Sequence, residues 1–391
     1  KKKKKKKKIL EIKKKKNSKN IKLSLLKIFK EIKKNISKEK IIGGYYPVNF
    51  EIDILEFLNK LETKGYPNAL NITWAKHKKP YLFDIAEDLW KVGLNKSVTL
   101  ALQSTNSSTL KAVERANENT NLEQVIAYLK KKGMPAYIET ILGLPEETLS
   151  SFKEGLYRLI DDIGYHNYIG IYTMVALPNT PFGDPEYLKK YGVKIVKTAP
   201  CFFHHEHPPE KLMEDTNDVV IGSNVMSYED YLKACGWKWY MISVHFLGWL
   251  RILTIDLKKK HNITHRQFYD DFFNWFMQNP STLLYKEYHE TMKLLDNVFK
   301  NKIPWGRKVK DASDIYWEYE EATGIHIAKN KKKFYNEIGD FLENTYNSRY
   351  PKLVKKQANK MLDPFLVYDG NLEKYARECL WWGRRAERFF V

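Results

Sequence analysis

The segment CFFHHEHPPEKLME (201–214) gathers Cys201, His204, His205, Glu206 and His207 within seven residues. Imidazole and thiolate are zinc ligands, so the composition is that of a metal site. The spacing argues the other way, since consecutive histidines project in different directions and Pro208-Pro209 mark a linker. Contact with a substrate is an equal reading. The three cysteines, Cys201, Cys235 and Cys379, are far apart and odd in number. They offer neither a disulfide framework nor the C-x2-C pairs of a zinc ribbon, which fits a reducing compartment.

A second group of chemistry-bearing residues is strung along the first half of the chain: Asn49, Lys76, Gln103, Ser104, Glu139 and Gly143. Polar side chains buried at strand ends need partners, and a ligand would supply them. Each also has a structural reading. Asn49 and Ser104 could cap the helices that follow them. Gly143 could serve a strand-to-helix turn, with Pro145 suited to a first helical turn. Glu139 could pair with Lys76 or a substrate, or face a helix.

The elements that would position these residues alternate. Apolar runs lie near 69–74, 97–103, 135–142 and 168–175, with helical patterns at 80–92, 107–116 with 122–132, and 147–162. Gly93, Gly133 and Gly164 each stand just past a helix end, where a left-handed cap is favoured. Strand starts recur about every 30–38 residues, the length of a βαβ unit. The pattern predicts an α/β fold with a parallel sheet; periodicity does not choose between a doubly wound sheet and a barrel.

After 201–214 the pattern is helical and aromatic, with helices expected at 227–258, 264–278, 281–300, 331–346, 351–362 and 371–388 and no strand-rich segment beyond residue 220. The stretch 239–255 is the most apolar, but His245 and Arg251 interrupt it and it is short for a membrane span. It reads as a buried helix, with His245 a core histidine and Trp237, Trp239, Trp249, Trp317, Trp381 and Trp382 mostly core.

The net charge of +20 belongs to one arm: residues 1–40 carry 20 lysines against Glu11, Glu31 and Glu39, or 20 − 3 = +17, leaving about +3 for the rest. No nucleic-acid partner is expected for the globular part. Residues 1–20 are low-complexity, and 21–36 have helical apolar spacing. That helix reads as a solvated face, or as a basic surface for an anionic membrane or nucleic acid. With no signal peptide and no transmembrane segment, a cytoplasmic location is expected.

Four segments carry a resemblance: ALNITWAK (69–76), TLALQSTNSSTLKAVERAN (99–117), YIETILGLPEETLSSF (137–152) and IGIYTMVALPNTPFGDPEY (169–187). In this order they resemble the third to sixth strands of a radical S-adenosylmethionine (radical SAM) barrel, and VNFEIDILEFL (48–58) is similar to the helix after its second strand. DVVIGSNVMSYEDY (218–231) and IYWEYEEA (315–322) look like the helical C-terminal region of those members that often carry an N-terminal cobalamin-binding domain.

The resemblance implies a partial TIM-like (β/α) barrel over 41–200 and an all-helical domain over 201–391, after the lysine arm of 1–40. It also implies S-adenosylmethionine as cofactor, a 4Fe-4S cluster that cleaves it to a 5′-deoxyadenosyl radical, and cobalamin through a further domain. On this basis Asn49, Lys76, Gln103, Ser104, Glu139, Gly143, Leu177 and Pro178 would line the cofactor, the last two stacking on adenine. The family's C-x3-C-x2-C motif is absent from this sequence. The chain is therefore expected to be a fragment, inactive without that segment, acting on a substrate the sequence does not identify. The competing reading is a non-catalytic scaffold that docks a partner or membrane through its arm.

Overall fold

The computed structural model describes residues 80–91, 98–115, 122–134, 136–199, 201, 203–204, 216–301, 303–310 and 313–360. Asn49, Lys76, His205, His207, Gly93, Cys379, Trp381, Trp382, the lysine arm, the run at 69–74 and the helix expected at 371–388 lie outside them. The chain divides into two compact units, residues 1–99 with 127–136, and residues 100–126 with 137–391. In the first, helix α1 (Pro80–Lys91) presents Glu87, which accepts hydrogen bonds from Tyr128 and Lys132 at 2.9 and 2.8 Å.

Strands β1 (Val98–Gln103), β2 (Ala136–Leu142) and β3 (Ile169–Thr173) form a sheet in the order β1-β2-β3, and β2 and β3 run parallel. Side chains alternate across a strand. Ala136, Ile138, Thr140 and Leu142 of β2 are buried, while Tyr137, Glu139 and Ile141 are half-buried on the opposite face. On β1, Val98, Leu100 and Leu102 are buried and Ala101 is exposed.

The helices between the strands start where a side chain can take up free N–H groups. Asn106 caps α2 (Ser107–Ala112), and Thr148 forms a capping box with Ser151 at α4 (Leu149–Tyr157). Helix α3 (Leu122–Lys131) ends at Gly133, whose φ of 66° is left-handed. Gly164 follows the π-helical turn Arg158–Asp162 with φ 68°. Both glycines fill the cap role their positions suggested.

Past β3 the chain makes α5 (Pro185–Lys190), and β4 (Lys194–Thr198) pairs antiparallel with β5 (Asn217–Gly222). Then follow α6 (Tyr228–Met241), α7 (Arg251–His261), α8 (His265–Met277), α9 (Leu283–Asn301), α10 (Tyr319–Lys329), α11 (Lys331–Tyr346) and α12 (Pro351–Lys360).

Two expectations are corrected here. Residues 201–391 are not all-helical: β6 (Arg307–Val309) pairs antiparallel with β7 (Ser313–Trp317), and β5 also lies in this stretch. Nor is 227–258 one helix. After Met241 it passes through a π-helical turn (Ile242–Phe246) and bends by 80° before α7. Gly248, at φ 96°, takes a backbone conformation open to glycine but costly for other residues.

Trp237, Trp239, Tyr240, Phe268, Phe272 and Phe276 form much of the helical core. His245 is fully buried within it, 2.7 Å from the Tyr269 hydroxyl and 3.3 Å from His166, so it is a partnered core histidine. No single described helix is long and apolar enough to cross a membrane.

Candidate cofactor and substrate site

The C-terminal ends of β1 and β2 meet through side chains. Ser104, directly after β1, lies 2.7 Å from Glu147 Oε1, in the turn after β2. Ser104 does not cap the next helix; Asn106 does, and Ser104 Oγ accepts the Asn106 N–H at 3.1 Å. Gln103 closes β1 with φ 70°, an uncommon conformation for a non-glycine residue, which turns the chain sharply at the strand end. Gly143 follows β2 at φ 98°. A Cβ there would stand 3.4–3.6 Å from Tyr231, Met174 and Val220, ordinary contact, so the backbone angle, not space, selects glycine.

The end of β3 is joined to the same edge: Met174 N–H donates to the Leu142 carbonyl at 2.9 Å. Beyond it Leu177 is 56% exposed and begins a tight turn in which the Thr180 hydroxyl donates to its carbonyl. Pro178 is exposed in that turn.

Glu139 projects from the half-buried face of β2, between Tyr137 and Ile141, opposite Gly170 of β3. Burial raises its carboxyl above the usual range, and among the described residues it has no hydrogen-bond or ion-pair partner. Glu147 is the other carboxyl here. It is 3% exposed, and burial, only partly offset by the Ser104 hydroxyl, pushes it up to about 8; its Oε2 has no partner among the described residues.

A cavity of about 500 Å³ lies beside this sheet within the second unit. Tyr137, Tyr168 and Gly170 line it from the sheet side, and Lys238 and Trp239 of α6 line it as well. Glu318, Glu320 and Glu321 contribute carboxyl groups from the start of α10.

Cys201 and Cys235 reach the same cavity, and His204 Nε2 lies 2.7 Å from Glu321 Oε2. That ion pair, more than burial, sets the His204 imidazole: its pKa is raised by Glu321. The sequence singled out Gly143, Glu139 and His204 but not Glu147, Lys238, Glu318, Glu320 or Glu321. For the last three the only signal was the acidic triplet within IYWEYEEA.

Among the described residues no group of three histidine, cysteine or acidic side chains could hold a metal ion. The described residues hold two free cysteines, Cys201 and Cys235, fewer than the thiolates that must converge on an iron–sulfur cluster. The described residues therefore do not fit a four-iron cluster. Anaerobic reconstitution of this chain is expected to yield well under one cluster per chain; stoichiometric iron with thiolate-to-iron absorbance would contradict that.

No family model matches the sequence. Two curated proteins do. The chain is 27% identical over 320 residues to 2-(S-pantetheinyl)-carbapenam-3-carboxylate methyltransferase of Streptantibioticus cattleyicolor. It is 26% identical over 320 residues to cobalamin-dependent radical SAM methyltransferase TokK of Streptomyces tokunonensis. Each match covers 77% of this chain and 46% of the relative, so the chain spans about half the length of the curated relatives it matches. Its ordered strand-end motifs and these two relatives make the chain similar to radical SAM methyltransferases.

Proposed function

We propose that this chain forms the S-adenosylmethionine-binding and substrate-facing part of a radical SAM methyltransferase acting on a small molecule. The observation that carries the reading is the joining of the strand ends. Ser104 and Glu147 tie the ends of β1 and β2, which brings Gln103 and Gly143 to one edge, while Glu139 on the adjoining face has no partner among the described residues. Ligands of parallel sheets bind at strand C-termini. S-adenosylmethionine supplies the activated methyl and the sulfonium on which such chemistry rests.

In this reading Glu139 accepts hydrogen bonds from the ribose or amino end of the cofactor. Gly143 lets backbone approach the adenine, and the Leu177-Pro178 turn covers its edge. The scaffold reading finds no support among the described residues.

Calorimetric titration of this chain with S-adenosylmethionine is expected to show weak saturable binding, with Kd on the order of 1 mM, since few anchoring contacts are present. Glu139→Ala should abolish it. Lys197→Ala, which breaks only an exposed pair with Asp218, should leave it unchanged. No binding to the unaltered chain, or binding indifferent to Glu139→Ala, would remove the proposal.

A further inference from the structure

Glu320 is 7% exposed and lines the cavity, yet among the described residues it makes no hydrogen bond and no ion pair. A buried carboxylate without a counter-charge is costly, so such a group marks a position where a ligand completes the site. Its two neighbours are already engaged. Glu318 and Glu321 form the capping box at the start of α10, and Glu321 Oε2 also holds His204, while Glu321 Oε1 is buried without a partner among the described residues. Lys238 faces the cavity as well but forms no ion pair with any of the three glutamates.

We propose that this cavity is the substrate pocket and that it binds a small molecule carrying a protonated amine, with Glu320 as its counter-charge. The inference rests on the preceding proposal and names the substrate class for it. Tyr168, Trp239 and Tyr319 line the same space and offer aromatic faces that attract a cation.

Burial, then Glu321 and Glu320, push the Glu318 carboxyl up to about 8, against the opposing pull of Lys238 and His204. The Tyr168 hydroxyl is raised well above its usual range by burial, then by Glu318, Glu320 and Glu321. An ammonium group relieves the repulsion that both report. A metal ion is a poorer fit, because no three ligating side chains converge here among the described residues. Tyr137 and Gly170 line the cavity and share a sheet face with Glu139, so an amine held by Glu320 sits beside the proposed cofactor cradle.

The test uses benzylammonium as probe, with benzyl alcohol and benzoate as neutral and anionic counterparts, read by ligand-observed NMR on the full chain. Benzylammonium is expected to bind and its two counterparts to bind at least 10-fold more weakly. Glu320→Gln should weaken benzylammonium at least 10-fold, and Lys238→Met, which removes a competing cation, should tighten it several-fold.

Equal binding of benzoate or the alcohol, or benzylammonium binding unchanged by Glu320→Gln, overturns the proposal. Should Glu320→Gln not fold by circular dichroism, Lys238→Met decides alone: unchanged or weaker amine binding overturns it. S-adenosylmethionine itself carries an ammonium group, so it is titrated against Glu320→Gln too, and its weak binding is expected to persist. Absence of amine selectivity in the unaltered chain, with S-adenosylmethionine binding present, sinks this inference alone; absence of S-adenosylmethionine binding to the unaltered chain sinks the reading beneath it.

Discussion

Replacing Glu287 with alanine is expected to destabilise the helical part of the chain by about 3–5 kcal/mol, the range for breaking a buried ion pair from one side. Glu287 is 5% exposed on α9 and accepts from Arg307 Nη1 at 2.6 Å and from His326 Nδ1 at 2.7 Å. Burial alone would raise its carboxyl, but His326 and Arg307 outweigh that and hold it below the usual range. Glu287, Arg307 and His326 come from α9, β6 and α10, so one carboxylate joins three elements.

Its removal leaves the Arg307 guanidinium, 15% exposed, without a counter-charge. The effect should reach the cavity, because the Thr323 hydroxyl lies 3.2 Å from Glu287 and accepts the Trp239 indole N–H at 3.0 Å. Urea denaturation of wild type, Glu287→Ala and Glu287→Gln measures the step. Glu287→Gln keeps the size and one acceptor, so its loss should be smaller. Equal stability of wild type and Glu287→Ala would mean that the ion pair does not hold these elements together.

Why the sequence disclosed some of this and not the rest follows from where each determinant lies. The strands at β1, β2 and β3 were legible because their apolar runs and the glycines after the helices are local signals. Gly133 and Gly164 do what their positions suggested. The bend after Met241 was not legible, since no proline marks it; the break lies in a π-helical turn followed by Gly248.

The β6–β7 pair escaped notice for a different reason. β6 has three residues, and short strands owe their conformation to a partner rather than to their own propensity. In the site, Gly143 was visible as a turn glycine inside ILGLPEET, whereas Glu147 in the same motif was not. Its burial depends on Ser104, 43 residues earlier, and no local pattern encodes that. Glu320 was hidden likewise: an acidic triplet reads as a solvated helix start until the fold buries it beside Tyr168 and Trp239.

Glu147→Gln is expected to change how stability depends on pH, with the larger gain on the alkaline side. The folded state holds Glu147 at about 8, mainly through burial, against an ordinary glutamate value near 4.5 in the unfolded chain. Between those two values the folded state binds the proton and the unfolded state does not. Stability therefore falls as pH rises through that window, by about 1.4 kcal/mol per pH unit at most. The contribution is complete below pH about 4.5 and is lost as pH passes about 8.

Glutamine has no proton to lose and retains an acceptor for the Ser104 hydroxyl, so the Ser104 link at the strand ends survives in the variant. Its added N–H group falls where Oε2 has no partner, which costs on the order of 1 kcal/mol at pH 5. At pH 8 the variant should exceed wild type by roughly 2–4 kcal/mol, the linkage gain less that cost. Glu318, also raised to about 8, is present in both proteins and cancels in the difference. Urea midpoints at pH 5, 6.5 and 8 give the two curves. Parallel curves would show that Glu147 is ionised within the fold at neutral pH. The join between β1 and β2 would then be a charged one, and the cofactor edge would carry a second carboxylate beside Glu139.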